Sequence, residues 1–95
     1  MAQRRPLAAE PNYTILAERA AARLAKGRIA VNLHQYTVYS LEYSADVDLL
    51  TILFTEQPPT RSRGDVAQGI VYHYDGDTLV SVEIADILDV YTNAA

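Results

Sequence analysis

The sequence predicts an α+β fold: an N-terminal helix packed on a small antiparallel β-meander of four or five strands, with a short C-terminal helix. Three observations predict it. Apolar residues recur at helical spacing across residues 13–26, the apolar period falls to two from residue 29 onward, and Asp75-Gly76-Asp77-Thr78 is a hairpin turn between two β-rich runs. Residues 1–11, with two prolines and three charges, read as a flexible tail, and residues 12–95 as a single α+β domain.

The helix starts at Asn12, a good N-cap. Tyr13, Leu16, Ala17, Ala20 and Leu24 fall on one stripe, and Gly27 stands where a left-handed C-cap residue belongs. Its many alanines make a thin face suited to lying close on a sheet. Next, Ile29, Val31 and Leu33 alternate with Ala30, Asn32 and His34, and Tyr39, Leu41 and Tyr43 with Val38, Ser40 and Glu42. This predicts either a hairpin or one long bent strand over residues 29–43. A strand at 47–55 follows, apolar on both faces, with Leu50, Ile52 and Phe54 against Val47, Leu49 and Leu53; such a strand belongs inside a sheet. Residues 56–65, with Pro58-Pro59 and polar neighbours, read as a loop, and residues 66–69 as a short edge segment. Strands at 70–74 and 79–84 flank the hairpin turn. The spacing of Ile84, Ile87, Leu88 and Tyr91 predicts a closing helix from about Asp86.

Composition removes several classes of function. The 95 residues contain no cysteine, so a disulfide framework, a thiolate nucleophile and a cysteine-based zinc site are excluded. No apolar run approaches the ~20 residues that span a bilayer, so no membrane association is expected. The charged start lacks the apolar stretch of a signal peptide, and the expected location is cytoplasmic. Charge is unevenly placed: residues 1–28 carry six basic and two acidic side chains, whereas residues 29–95 carry two arginines against ten carboxylates. The acidic body repels phosphate backbones, which disfavours nucleic acid as a partner.

Over about residues 37–88, three stretches stand out: Tyr43-Ser44-Ala45-Asp46-Val47-Asp48-Leu49-Leu50-Thr51-Ile52, then Gly69-Ile70-Val71-Tyr72-His73-Tyr74-Asp75, then Leu79-Val80-Ser81-Val82-Glu83-Ile84-Ala85-Asp86-Ile87-Leu88. Together they resemble the small prokaryotic family catalogued as domain of unknown function 2283. The resemblance implies a small antiparallel sheet and places the family's recurrent glutamate at Glu83. It implies no established reaction. Some members are similar to antitoxin-like partners of another small protein.

Few residues carry chemistry on their own. In a strand His73, Asp75 and Asp77 would share a face and offer a divalent cation one imidazole and two carboxylates, although Asp75 and Asp77 flank Gly76 as turn residues do. Glu83 lies on the strand face opposite Val82 and Ile84, where a carboxylate serves as a general base or pairs with a basic group. Arg19, Arg23 and Lys26 line one flank of the helix, and Arg61 and Arg63 are the basic residues of the acidic body; these five form the expected partner-binding set. No catalytic residue, metal site or cofactor is expected from motifs, since no phosphate-cradling glycine loop and no nucleophile or zincin signature is present.

Seven tyrosines against one phenylalanine favour a surface that is buried yet keeps polar tips. One short helix covers one side of a sheet. A chain of this size buries only about 60–65% of its unfolded surface, so the uncovered side is expected to meet a second subunit in a homodimer or higher homo-oligomer. The leading functional reading is a non-catalytic interaction domain that self-associates, in its narrower form an antitoxin-like partner of another small protein. The alternative is a small-molecule- or metal-binding catalyst using His73 and Glu83 at the subunit interface.

Overall fold

A computed structural model describes residues 12–89; the expected tail at 1–11 and Tyr91 lie outside them. Helix α1 spans Tyr13–Lys26. The Asn12 side chain accepts from the N–H groups of Thr14 and Ile15 at 3.0 and 3.2 Å, satisfying two of the orphan donors at the helix start. Five strands follow, β1 Ser40–Ser44, β2 Leu49–Leu53, β3 Arg61–Asp65, β4 Ile70–Asp75 and β5 Thr78–Ala85. They form one antiparallel sheet in the order β1-β2-β5-β4-β3.

Register explains the core. Leu50, Ile84 and Ile70 lie in one cross-strand row, and Ile52, Val82 and Tyr72 in the next. All six are buried on one face, and Leu16, Ala20 and Leu24 of α1 join them in the same core. Only three residues of the expected helical stripe are buried; Tyr13 and Ala17 remain exposed.

Four expectations are corrected. No strand forms over residues 29–39: this segment is an irregular strap with a single 3₁₀ turn at Leu33–Gln35, and only β1 survives of the region read as strands. Its period-two signal has another cause, since Ile29, Val31 and Leu33 pack on the core while Ala30, Asn32 and His34 face outward. An extended chain lying across a core alternates as a strand does, without pairing. Second, residues 61–65, read as loop, are β3. Within it only Asp65 is buried, so no apolar alternation marked the strand, and its arginines give the charged edge that discourages further pairing. Third, residues 86–89 turn rather than forming a helix; Asp86 and Asp89 take positive φ of 54° and 63°, which ends any helical run. Fourth, β2 lies between β1 and β5 but is buried on one face only, with Leu49, Thr51 and Leu53 half-exposed on the other.

Gly27 also differs from expectation. Its φ of −72° is open to any residue, so its conformation does not call for glycine. Space does: a Cβ there would lie 2.6 Å from the Tyr72 hydroxyl and 3.2 Å from Asp65 Oδ2. The β4–β5 turn matches expectation, with a two-residue loop in which Gly76, at φ 63°, supplies the positive dihedral of a II′-type hairpin.

Candidate functional site

The sheet face away from α1 carries the other half of each strand. Its rows run Glu42, Thr51, Glu83, Val71, Gly64 and Ser40, Leu53, Ser81, His73, Ser62. Leu49, Leu53 and Val71 lie outside the core cluster, and Val71 is 37% exposed. This face is therefore part apolar, over β2 and its neighbours, and part polar, toward β3.

Across β3, β4 and β5 three side chains connect. Ser62 Oγ lies 2.7 Å from His73 Nδ1, and His73 Nε2 lies 2.6 Å from Glu83 Oε1. Ser62 and His73 are direct cross-strand partners, whereas Ser81 stands opposite His73 and Glu83 two residues further along, a diagonal that a glutamate can reach. A β-bulge opposite the His73–Tyr74 step gives β5 one extra residue, Val80, between Ser81 and Leu79, and it turns Leu79 into the core. The imidazole and carboxylate side chains are 19% and 35% exposed. An ionised carboxylate only accepts, so in the neutral imidazole Nε2 carries the proton and donates to Glu83. Nδ1 then accepts from the Ser62 hydroxyl.

The remaining sequence-selected residues are placed elsewhere. Asp75 pairs with Thr78 at the end of β4, and Asp77 sits in the turn facing Arg61 at 3.9 Å. The His-Asp-Asp array is not assembled, and among the described residues no group of three or more histidines and carboxylates converges on a metal position. Arg61 lies over the Tyr74 ring at 4.3 Å and donates to Gly76 O at 2.9 Å, which clamps β3 to the hairpin.

Arg23 also acts within the chain. It donates from Nε to Gln68 O at 3.1 Å, from Nη1 to Asp86 O at 3.2 Å and from Nη2 to Ala85 O at 2.9 Å, tying α1 to the ends of β5 and the β3–β4 turn. Arg19 donates to Leu88 O at 3.3 Å. These two arginines and Asp86, Ile87 and Asp89 line a shallow recess of about 300 Å³. Lys26 and Arg63 are exposed on the surface.

Two buried carboxylates escaped sequence reasoning. Asp48, fully buried at φ 52°, accepts from Leu88 N at 3.0 Å, Asp89 N at 2.8 Å and the Tyr43 hydroxyl at 2.9 Å. Asp65 Oδ2 accepts from Arg28 N at 2.8 Å, and Oδ1 faces Arg28 Nε at 3.8 Å. Beside it the Tyr72 hydroxyl donates to Ile29 O at 3.1 Å, so strap and sheet lock together under Gly27.

Burial, then the Asp65 charge and the neighbouring Tyr74, raise the Tyr72 phenol above its ordinary value, with Arg28 opposing. The folded state thus favours the neutral phenol. Stability linked to Tyr72 is whole below about pH 10 and lost as pH rises through the raised folded-state value. Alkaline unfolding followed by circular dichroism is expected to shift to higher pH in Tyr72→Phe, after correction for stability at neutral pH. An unchanged alkaline slope contradicts this.

No helix among the described residues is long and apolar enough to cross a membrane. Comparison with protein-family models, curated proteins and solved structures gives no match.

Proposed function

We propose that this domain acts by binding, through the sheet face opposite α1, and that its partner is a second copy of itself. The observation that carries this reading is the half-exposed apolar group Leu49, Leu53 and Val71, which lies outside the core on a face that α1 does not cover. Such a face gains by burial against its like, and a two-fold arrangement of identical faces closes after two subunits. A narrower form of the reading makes another small protein the partner. It draws support from the resemblance over residues 37–88 and from the exposed Lys26 and Arg63, since Arg19, Arg23 and Arg61 bind main-chain carbonyls within the chain.

Sedimentation velocity tests self-association. The wild-type chain is expected to shift from monomer to dimer as concentration rises, and Val71→Lys to remain monomeric with its thermal stability kept. A wild-type chain that stays monomeric at high micromolar concentration contradicts the proposal.

A further inference from the structure

We propose that Ser62, His73 and Glu83 form an acyl-transfer centre in which Ser62 is the nucleophile, acting on small activated carboxylic esters. The proposal goes beyond the binding reading but shares its face: Val71 of the apolar patch stands opposite Glu83, whereas Ser62 and His73 lie in the neighbouring row toward the β3 edge. Its basis is the polarity of the chain of contacts. Glu83 fixes the Nε2–H tautomer, which leaves the Nδ1 lone pair aimed at the Ser62 hydroxyl at 2.7 Å, within reach for proton transfer. Glu83 is a positioning residue: it holds the ring and stabilises the imidazolium that forms. Ser62 lies on an exposed edge strand, so an acyl group can approach it, and the open surface leaves reactivity to the activation of the ester itself.

The step balances as follows. Ser62 Oγ bonds to the ester carbonyl carbon while its proton passes to His73 Nδ1. The carbon–oxygen bond to the leaving group breaks, and the leaving oxygen takes that proton. Water then attacks the acyl-serine, giving its proton to Nδ1, and the proton returns to Ser62 Oγ as the carboxylic acid departs. The net reaction is ester plus water to acid plus alcohol.

The test uses the full chain and p-nitrophenyl acetate, with the acetylated residue located by peptide mass spectrometry. One acetyl group is expected on Ser62, formed about 100-fold faster than in His73→Gln, the lower end of what a positioned base supplies. Ser62→Ala is expected to lose that label. Nitrogen-15 spectra are expected to show the Nε2–H tautomer of His73 in wild type and a loss of that preference in Glu83→Ala, with acetylation of Ser62 slowed in step; a lost tautomer preference with wild-type labelling speed contradicts the positioning role. Three outcomes overturn the proposal: acetyl groups only on lysine or tyrosine, Ser62 labelled equally fast in His73→Gln, or full ester cleavage in Ser62→Ala, which would make the imidazole itself the nucleophile. The label position in the wild-type chain decides even if a variant misfolds.

Discussion

Replacing Asp48 by alanine is expected to lower the stability of the folded chain by about 3–5 kcal/mol, the sum of two separate losses. The first is hydrogen bonding. The carboxylate, itself fully buried, satisfies the N–H groups of Leu88 and Asp89 and the Tyr43 hydroxyl at part-buried positions, so each donor left without a partner costs about 1 kcal/mol, the low end of the range for a buried group. The second is backbone strain: φ is 52°, and alanine in the left-handed region costs about 1 kcal/mol more than glycine. Asp48→Gly relieves only the strain and Asp48→Asn keeps one carbonyl acceptor, so both are expected to fall between wild type and alanine. Urea titration measures all three. An alanine variant within about 1 kcal/mol of wild type contradicts the role assigned to the carboxylate.

Gly27→Ala is expected to destabilise by about 2–3 kcal/mol, a large effect for one methyl group at an unstrained φ. The added Cβ would meet the Tyr72 hydroxyl at 2.6 Å. Tyr72 is fully buried and its ring cannot swing aside, so the hydroxyl must give up its bond to Ile29 O. Tyr72→Phe alone is expected to cost about 1 kcal/mol through that bond. In the double variant the oxygen is gone and the methyl group fits, so the two losses are expected not to add, with an interaction of about 1–2 kcal/mol. Additive losses contradict a clash at this oxygen.

Much of the fold was legible where burial leaves a periodic trace. Helix α1, β4 and β5 carry apolar residues at the period of their geometry, β2 is marked by a nearly continuous apolar run, and the Asp75–Thr78 turn has its chemistry at fixed positions. Two elements misled for one reason: periodicity reports burial rather than pairing. Ile29, Val31 and Leu33 alternate because an extended strap lies on the core, and β3 shows nothing because neither of its faces is apolar. Missing β3 also hid the candidate site. The sequence pairs His73 with Glu83 in the alternative, catalytic reading, but Ser62 falls in an expected loop, and only the β3–β4 register puts it beside the imidazole. Arg23 was misleading in another way, since a basic flank on a helix looks the same whether it faces solvent or caps the carbonyls at the end of a sheet. Asp65 reads as an ordinary loop aspartate and Asp48 draws no role from the sequence, because their buried partners come from distant parts of the chain.

The most direct test of the binding reading is a dilution series followed by backbone amide shifts, from millimolar to low micromolar chain. Concentration-dependent shifts are expected at Leu49, Thr51, Leu53, Val71 and Ala85, the residues of the uncovered sheet face, with the exposed side of α1 unchanged. Shifts confined to α1, or none across the series, would contradict it.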